Sequence, residues 1–172
     1  MFLVTALHTL GWSYAFFFST ALIFGISLPI AVLRACQALY RKEMKKSVAI
    51  STEAAVELLR IVQFALFIAC GRSISFGALF LADTWKTMLS GVRELERGPF
   101  LWDLLGFMVV FGIYNAVLFA ILRPSLVQKA MDKFGVIRLE VGTARTAAML
   151  AYKNLFLIPV SMIYLFKIMN II

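Results

Sequence analysis

Arg72 stands in the middle of an apolar run, Ile61 to Ala82, of the length that crosses a bilayer. A guanidinium at the centre of a membrane helix costs about 2.5 to 3.5 kcal/mol even on the lenient insertion scale, so compensating contacts are expected. Asn115, in a later apolar run, falls at similar depth and is the expected partner, with backbone carbonyls as the other; Asp103 lies nearer the outer face and Glu57 nearer the inner one. Arg72, Asn115 and Asp103 are therefore the intramembrane polar candidates. An interhelical anchor is the favoured role for Arg72, ahead of contact with a partner subunit and of an ion or substrate path. A competing register starts this span near Ala54. It carries Arg72 toward the outer interface and buries Glu57 and Arg60, neighbours at helical spacing three.

Other chemistry finds little support. His8 is the only histidine, which excludes bis-histidine haem ligation within one chain and a His-rich metal site. Cys36 and Cys70 fall at different depths, so two free thiols are expected rather than a disulfide. No serine pairs with a histidine in a plausible intramembrane protease arrangement, and no glycine-rich phosphate loop is present. In the first register no carboxylate lies deeper than Asp103, about one turn inside the outer boundary, which weighs against a proton-driven carrier. No catalytic residue, cofactor or metal ligand is assigned, and the chain is read as non-enzymatic.

The elements that position these residues follow from composition. Hydrophobic residues make up 62% of the 172 positions, charged residues 15%, and mean hydropathy is +0.92. Soluble domains run at roughly 45 to 50% apolar, so this is the composition of an all-helical integral membrane protein with a single domain. Four spans are expected, at about Trp12 to Leu33, Ile61 to Ala82, Leu101 to Leu122 and Leu150 to Asn170, with the start of the chain as an interfacial extension. Pro29 and Pro159 are candidate kinks in the first and fourth.

Charge orients the spans. Of 17 basic residues, six lie between Arg34 and Arg60 and five between Arg123 and Arg145; the connection after the second span has only Lys86, Arg93 and Arg97. The positive-inside rule then predicts both termini outside, and the layout suggests a bacterial-type inner membrane. Arg41, Lys42, Lys45, Lys46, Lys129 and Lys133 are expected at the inner surface, where anionic lipid attracts each by about 1 kcal/mol. A nucleic-acid partner is disfavoured, since no recognition module accompanies the charge. Lys153 and Lys167 are expected to snorkel from opposite ends of the fourth span.

Between the third and fourth spans, Leu126, Val127, Ala130, Met131 and Phe134 fall on one helical face, with Ser125 as the expected cap and Gly135 as the stop. A short amphipathic helix in the inner interface is predicted. Small residues mark expected helix seams: Gly71, Ser75 and Ala78 on the second span, Gly112, Ala116 and Ala120 on the third, Ala21 and Gly25 on the first. The function these features suggest is a membrane subunit of a larger assembly, of the secretion, transfer or respiratory kind. It would meet protein partners through its seams and basic connections. A homo-oligomeric pore or effector is the alternative, and a small transporter component the third.

Overall fold

The computed structural model describes residues 2–136 and 139–172, and every regular element among them is helical. In chain order these are α1 (Phe2–Ser19), α2 (Ala21–Leu39), α3 (Lys46–Gly71), α4 (Ala82–Arg93), α5 (Arg97–Ile121), α6 (Pro124–Lys133), α7 (Val141–Tyr152) and α8 (Ile158–Ile168). A 3₁₀ turn, Phe76–Phe80, precedes α4, and a π turn, Lys153–Leu157, joins α7 to α8 in one rod. Five stretches are long and apolar enough to cross a membrane: α1, α2, α3, α5 and the α7–α8 rod.

That rod is the spine of the bundle. α1 and α5 pack along α8, α2 packs along α7 and the π turn, and α3 packs beside α2. The π turn has a local cause. Pro159 has no N–H and its ring crowds the carbonyl four residues back, so the preceding turn widens and Ile158 N–H donates to the Lys153 carbonyl five residues back. The buried core is centred where these helices meet, on Phe17, Ile23, Phe67, Phe111, Ile163 and Tyr164.

Three of the expected spans change shape. The first apolar run is two helices broken at Thr20 (φ −103°, ψ 88°) rather than one continuous helix with an interfacial start, and each half lies along a different part of the spine. Ser19 and Thr20 place two hydroxyl-bearing residues at the break, and Ser19 Oγ donates to the Phe16 carbonyl, a local bond that competes with helix continuation. α3 runs Lys46–Gly71 and stops where the second span was expected to be half complete. Ser73 takes the left-handed conformation (φ 55°), and Ile74 N–H donates to the Ala69 carbonyl at 2.9 Å, a helix-ending arrangement usually built on glycine. The fourth span begins at Val141, well before Leu150.

α6 forms nearly where expected, but Arg123 rather than Ser125 is its N-cap residue and Pro124 opens it. Gly135 (φ 68°) ends it, with Val136 N–H on the Met131 carbonyl. Of its apolar face, Met131 is buried and Val127 partly so, while Leu126, Ala130 and Phe134 stay exposed; α6 lies against α7. Arg41, Lys42, Lys45, Lys46, Lys129 and Lys133 are all exposed, and Lys42 bonds Glu140, which brings the two basic connections to one end of the bundle.

The small-residue seams also move. Gly112, Ala116, Ala120, Ala21 and Gly25 are exposed, so among the described residues they form no buried internal seam. Ser75 and Ala78 lie beyond the end of α3, where Ser75 Oγ accepts from Ala78 N–H at 3.3 Å; only Gly71 is tightly packed, against Ile172. α1 and α5 approach closely at Gly106, where an added Cβ would sit 2.7 Å from Ala6 Cβ. Overpacking of that kind costs roughly 1 to 3 kcal/mol. Gly106→Ala should therefore lower unfolding stability in detergent by about that amount, while Gly112→Ala should be neutral or stabilising by up to about 1 kcal/mol, since its Cβ meets nothing within 4 Å.

Candidate functional site

Helix rise provides a ruler for the polar groups. Arg145 Nε donates to the Leu122 carbonyl at 2.7 Å, so the end of α5 and the fourth residue after Val141 share one level. Tyr114 and Tyr152, eight and seven residues above that level, meet through their hydroxyls at 2.8 Å, as two adjacent rods rising about 1.5 Å per residue require. Asn154 lies nine residues above Arg145, about 13 Å along the rod.

A charged seam climbs to that height between α2, α3 and α7. At its lower end, Arg34 is held by both oxygens of Glu53 (2.5 and 2.8 Å), by Glu57 Oε1 (2.9 Å) and by Gln37 (2.9 Å). Glu57 Oε1 also accepts from Arg60 at 3.0 Å, and Arg60 reaches the Asn154 amide oxygen at 2.7 Å. Asn154 in turn donates to the Leu150 carbonyl. One turn above Arg60, Gln63 donates to Ser27 Oγ at 2.6 Å, and both residues are buried. Above that pair the seam closes on Phe17, Ile23 and Phe67, which are fully buried.

The spacing of Glu53, Glu57, Arg60 and Gln63 is what places them on one α3 stripe facing α2 and α7. Two arginines and two glutamates balance in charge. Arg34 is largely covered, with 15% of its side chain exposed, whereas Glu53 and Glu57 keep 53% and 51%. Arg60 Nε is buried and has no hydrogen-bond partner among the described residues. Below Arg34 the seam opens into a cavity of about 700 Å³ whose walls include Gln37, Ala38, Lys42, Glu53, Glu140, Thr143, Thr146 and Leu150.

The expected polar residues are arranged differently. Arg72 is the residue that caps the end of α3, and its Nε and Nη2 donate to the carbonyls of Ile171 (2.6 Å) and Asn170 (2.8 Å), which follow α8. The backbone-carbonyl expectation holds, and the Asn115 pairing does not: Asn115 donates to the Phe111 carbonyl within its own helix. Asp103 is half-buried near the start of α5, away from Arg72's bonds. Arg72 therefore serves as a fork that satisfies carbonyls at the end of a neighbouring rod. Lys167 lies over the Trp12 ring at 4.6 Å, and Lys153 over the Phe119 ring at 5.2 Å, but Lys153 sits in the π turn and not at a helix end. Cys36 and Cys70 are free thiols.

Sequence reasoning missed the tyrosine chain, in which Tyr14 donates to Tyr114 at 2.5 Å and Tyr114 meets Tyr152, tying α1, α5 and α7 together. Its three members belong to three different helices, so no local spacing marks them. Among the described residues no group of His, Cys, Asp and Glu could hold a metal ion. No protein-family model, curated protein or solved structure matches this chain.

Among the described residues Arg60 and Asn154 make the one side-chain bond between α3 and the π turn, so a double-mutant cycle of Arg60→Met and Asn154→Leu reads their pairing directly. A coupling of about 0.6 kcal/mol, up to about 1.7, is expected in lipid or detergent, the range of interhelical polar pairs in membranes. Additive effects would show that each residue is satisfied elsewhere.

Proposed function

We propose that the chain is a non-enzymatic, polytopic subunit of a larger membrane assembly, with its basic end in the cytoplasm and the Arg72 end outside. One observation carries the reading. α5 is a 25-residue apolar helix that packs on α1 and α8 along one side only, and its free side bears Gly112, Ala116 and Ala120 at spacing four, all exposed. In hydrocarbon, helices associate through close backbone approach at small residues rather than through apolar burial. A stripe of that kind, unused within the chain while Gly106 serves the internal contact, suits a helix from another chain. Lipid contact alone would be met equally well by large side chains, which occupy the flanks at Met108, Ile113 and Val117.

Membrane placement is supported by the lengths. From Trp102 to Leu122 is about 30 Å of helix, the thickness of a hydrocarbon core, and the six exposed lysines and arginines of the two connections lie at one end of it. α1 and α2 follow successive parts of the spine in one direction, which supports counting them as a single broken crossing and the bundle as four. Cysteines replacing Lys45, Glu94 and Lys133 test the orientation: Lys45 and Lys133 should label from the cytoplasmic side and Glu94 from the other. Labelling of all three from one side would sink the four-crossing arrangement.

Photocrosslinkers at Gly112 and Ala116 test the partner. A crosslink to a different chain from both positions, lost in Gly112→Leu and Ala116→Leu variants whose own thermal stability is unchanged, is the expected result. A homodimer band would instead establish the homo-oligomeric alternative, and crosslinks to lipid only would reject a partner on this face.

A further inference from the structure

We propose that the seam between α2, α3 and α7 is a water-filled crevice, open to the cytoplasm and blind at the middle of the membrane, where Ser27 and Gln63 close it. The proposal rests on the membrane placement above and is independent of any partner on α5. The cavity's walls begin at Lys42 and Glu140 and rise to Leu150, five residues or about 7 Å above the level of Arg145. The polar chain Glu57, Arg60, Asn154 continues from there to about 13 Å, close to half of a 30 Å core.

Hydrogen-bonding capacity along the seam is only partly used. Glu57 receives both of its arginine contacts on Oε1, half of its side chain is exposed, and Arg60 Nε has no partner among the described residues. Hydrocarbon cannot meet these needs, and each unmet polar group there costs several kcal/mol. Water can. Because Arg34, Arg60, Glu53 and Glu57 sum to zero charge, no counter-ion is called for, which points to water rather than to a bound ion as the occupant. Among the described residues the mouth is bridged by Lys42 and Glu140, 3.2 Å apart with side chains 82% and 73% exposed, a pair of the kind that contributes little and opens readily in solvent. The blind end is tight: Ser27, Gln63 and the phenylalanines above them are buried.

The test uses the full chain in oriented vesicles, with both native cysteines replaced by serine and single cysteines introduced for reaction with a membrane-impermeant cationic methanethiosulfonate. The reactive species is the thiolate, which forms in water and not in hydrocarbon. Cysteines at Thr143, Ala38 and Leu150 should react from the cytoplasmic side at least about tenfold faster than those at Leu58 and Ile61, which lie on the exposed flank of α3 at comparable height. Asn154→Cys should react more slowly than Leu150→Cys but still faster than the flank controls, and Ser27→Cys should resist reagent from either side. If Leu150→Cys is no faster than Ile61→Cys while Thr143→Cys reacts, the seam is dry and the proposal falls. If Leu150→Cys reacts and Asn154→Cys matches the controls, the water stops short of mid-membrane, which also overturns it. Reaction of Thr143→Cys only from the outer side would reject the orientation, and with it the cytoplasmic opening.

Discussion

Charge balance inside the bundle is the constraint on which the remaining structure depends. A lone arginine or glutamate more than a turn inside an apolar bundle is costly, and removing one partner of a buried pair leaves the other uncompensated. Here Arg34 comes from α2, Glu53, Glu57 and Arg60 from α3, and Asn154 from the start of the π turn. Three separately apolar elements are thereby fixed in register, because sliding α3 by one turn would separate Arg60 from Asn154 and Arg34 from Glu53 together. The same requirement shapes the other end, where Arg72 can leave α3 only at its terminus and spends its fork on the carbonyls of Asn170 and Ile171.

Register, once fixed, has to coexist with helices of unequal length and pitch. The break at Thr20 and the π turn at Lys153–Leu157 lie opposite each other: Phe17, before the break, and Phe24, after it, both pack on Phe156, at 6.2 and 6.5 Å between ring centroids. A straight rod facing a broken one would lose contact on one side of the break. With both interrupted at one height, α1 stays on α8 and α2 stays on α7. The aromatic cluster at the joint fills the space that the altered backbone leaves, and it also forms part of the lid above Ser27 and Gln63. Its rings meet edge-on or tilted, arrangements that favour a defined geometry over sliding.

Much of this was legible in the residues. Hydropathy located the apolar stretches, the charge distribution placed six basic residues at one end, and the 3.6-residue period found α6 almost to its boundaries. Where α3 ends was not legible, because apolar residues resume beyond Arg72 and Ser73 at Ile74, Phe76 and Leu79, and the stop is made by Ser73 in a conformation that sequence associates with glycine. The alternative register, starting near Ala54, drew Glu57 and Arg60 together on the strength of their spacing, and the two are bonded at 3.0 Å. The partner groups were illegible for a different reason. Asn154 is 94 positions from Arg60 and Glu53 is 19 from Arg34, and nothing in a single sequence reports which helices lie side by side. The same limit explains the inverted seams: spacing identifies small stripes, but only packing separates Gly106, pressed against Ala6, from Gly112, which meets nothing.

The contrast between those two glycines bears on how such a chain functions. A bundle that satisfied every small stripe internally would be complete, and its outer surface would be large side chains suited to lipid. This one uses Gly106 to close the α1–α5 contact and leaves Gly112, Ala116 and Ala120 open, about two to four turns further along the same helix. The two glycines face different sides, since a separation of six residues turns the helix by about 600°, or 120° short of two full turns. α5 thus has one face packed on α1 and α8 and a second, exposed face lined by small residues. The charged seam lies on α2, α3 and α7, and α5 contributes nothing to it. A helix docked on the exposed side of α5 would therefore leave the mouth between Lys42 and Glu140 unobstructed, so the two surfaces do not compete for the same helix.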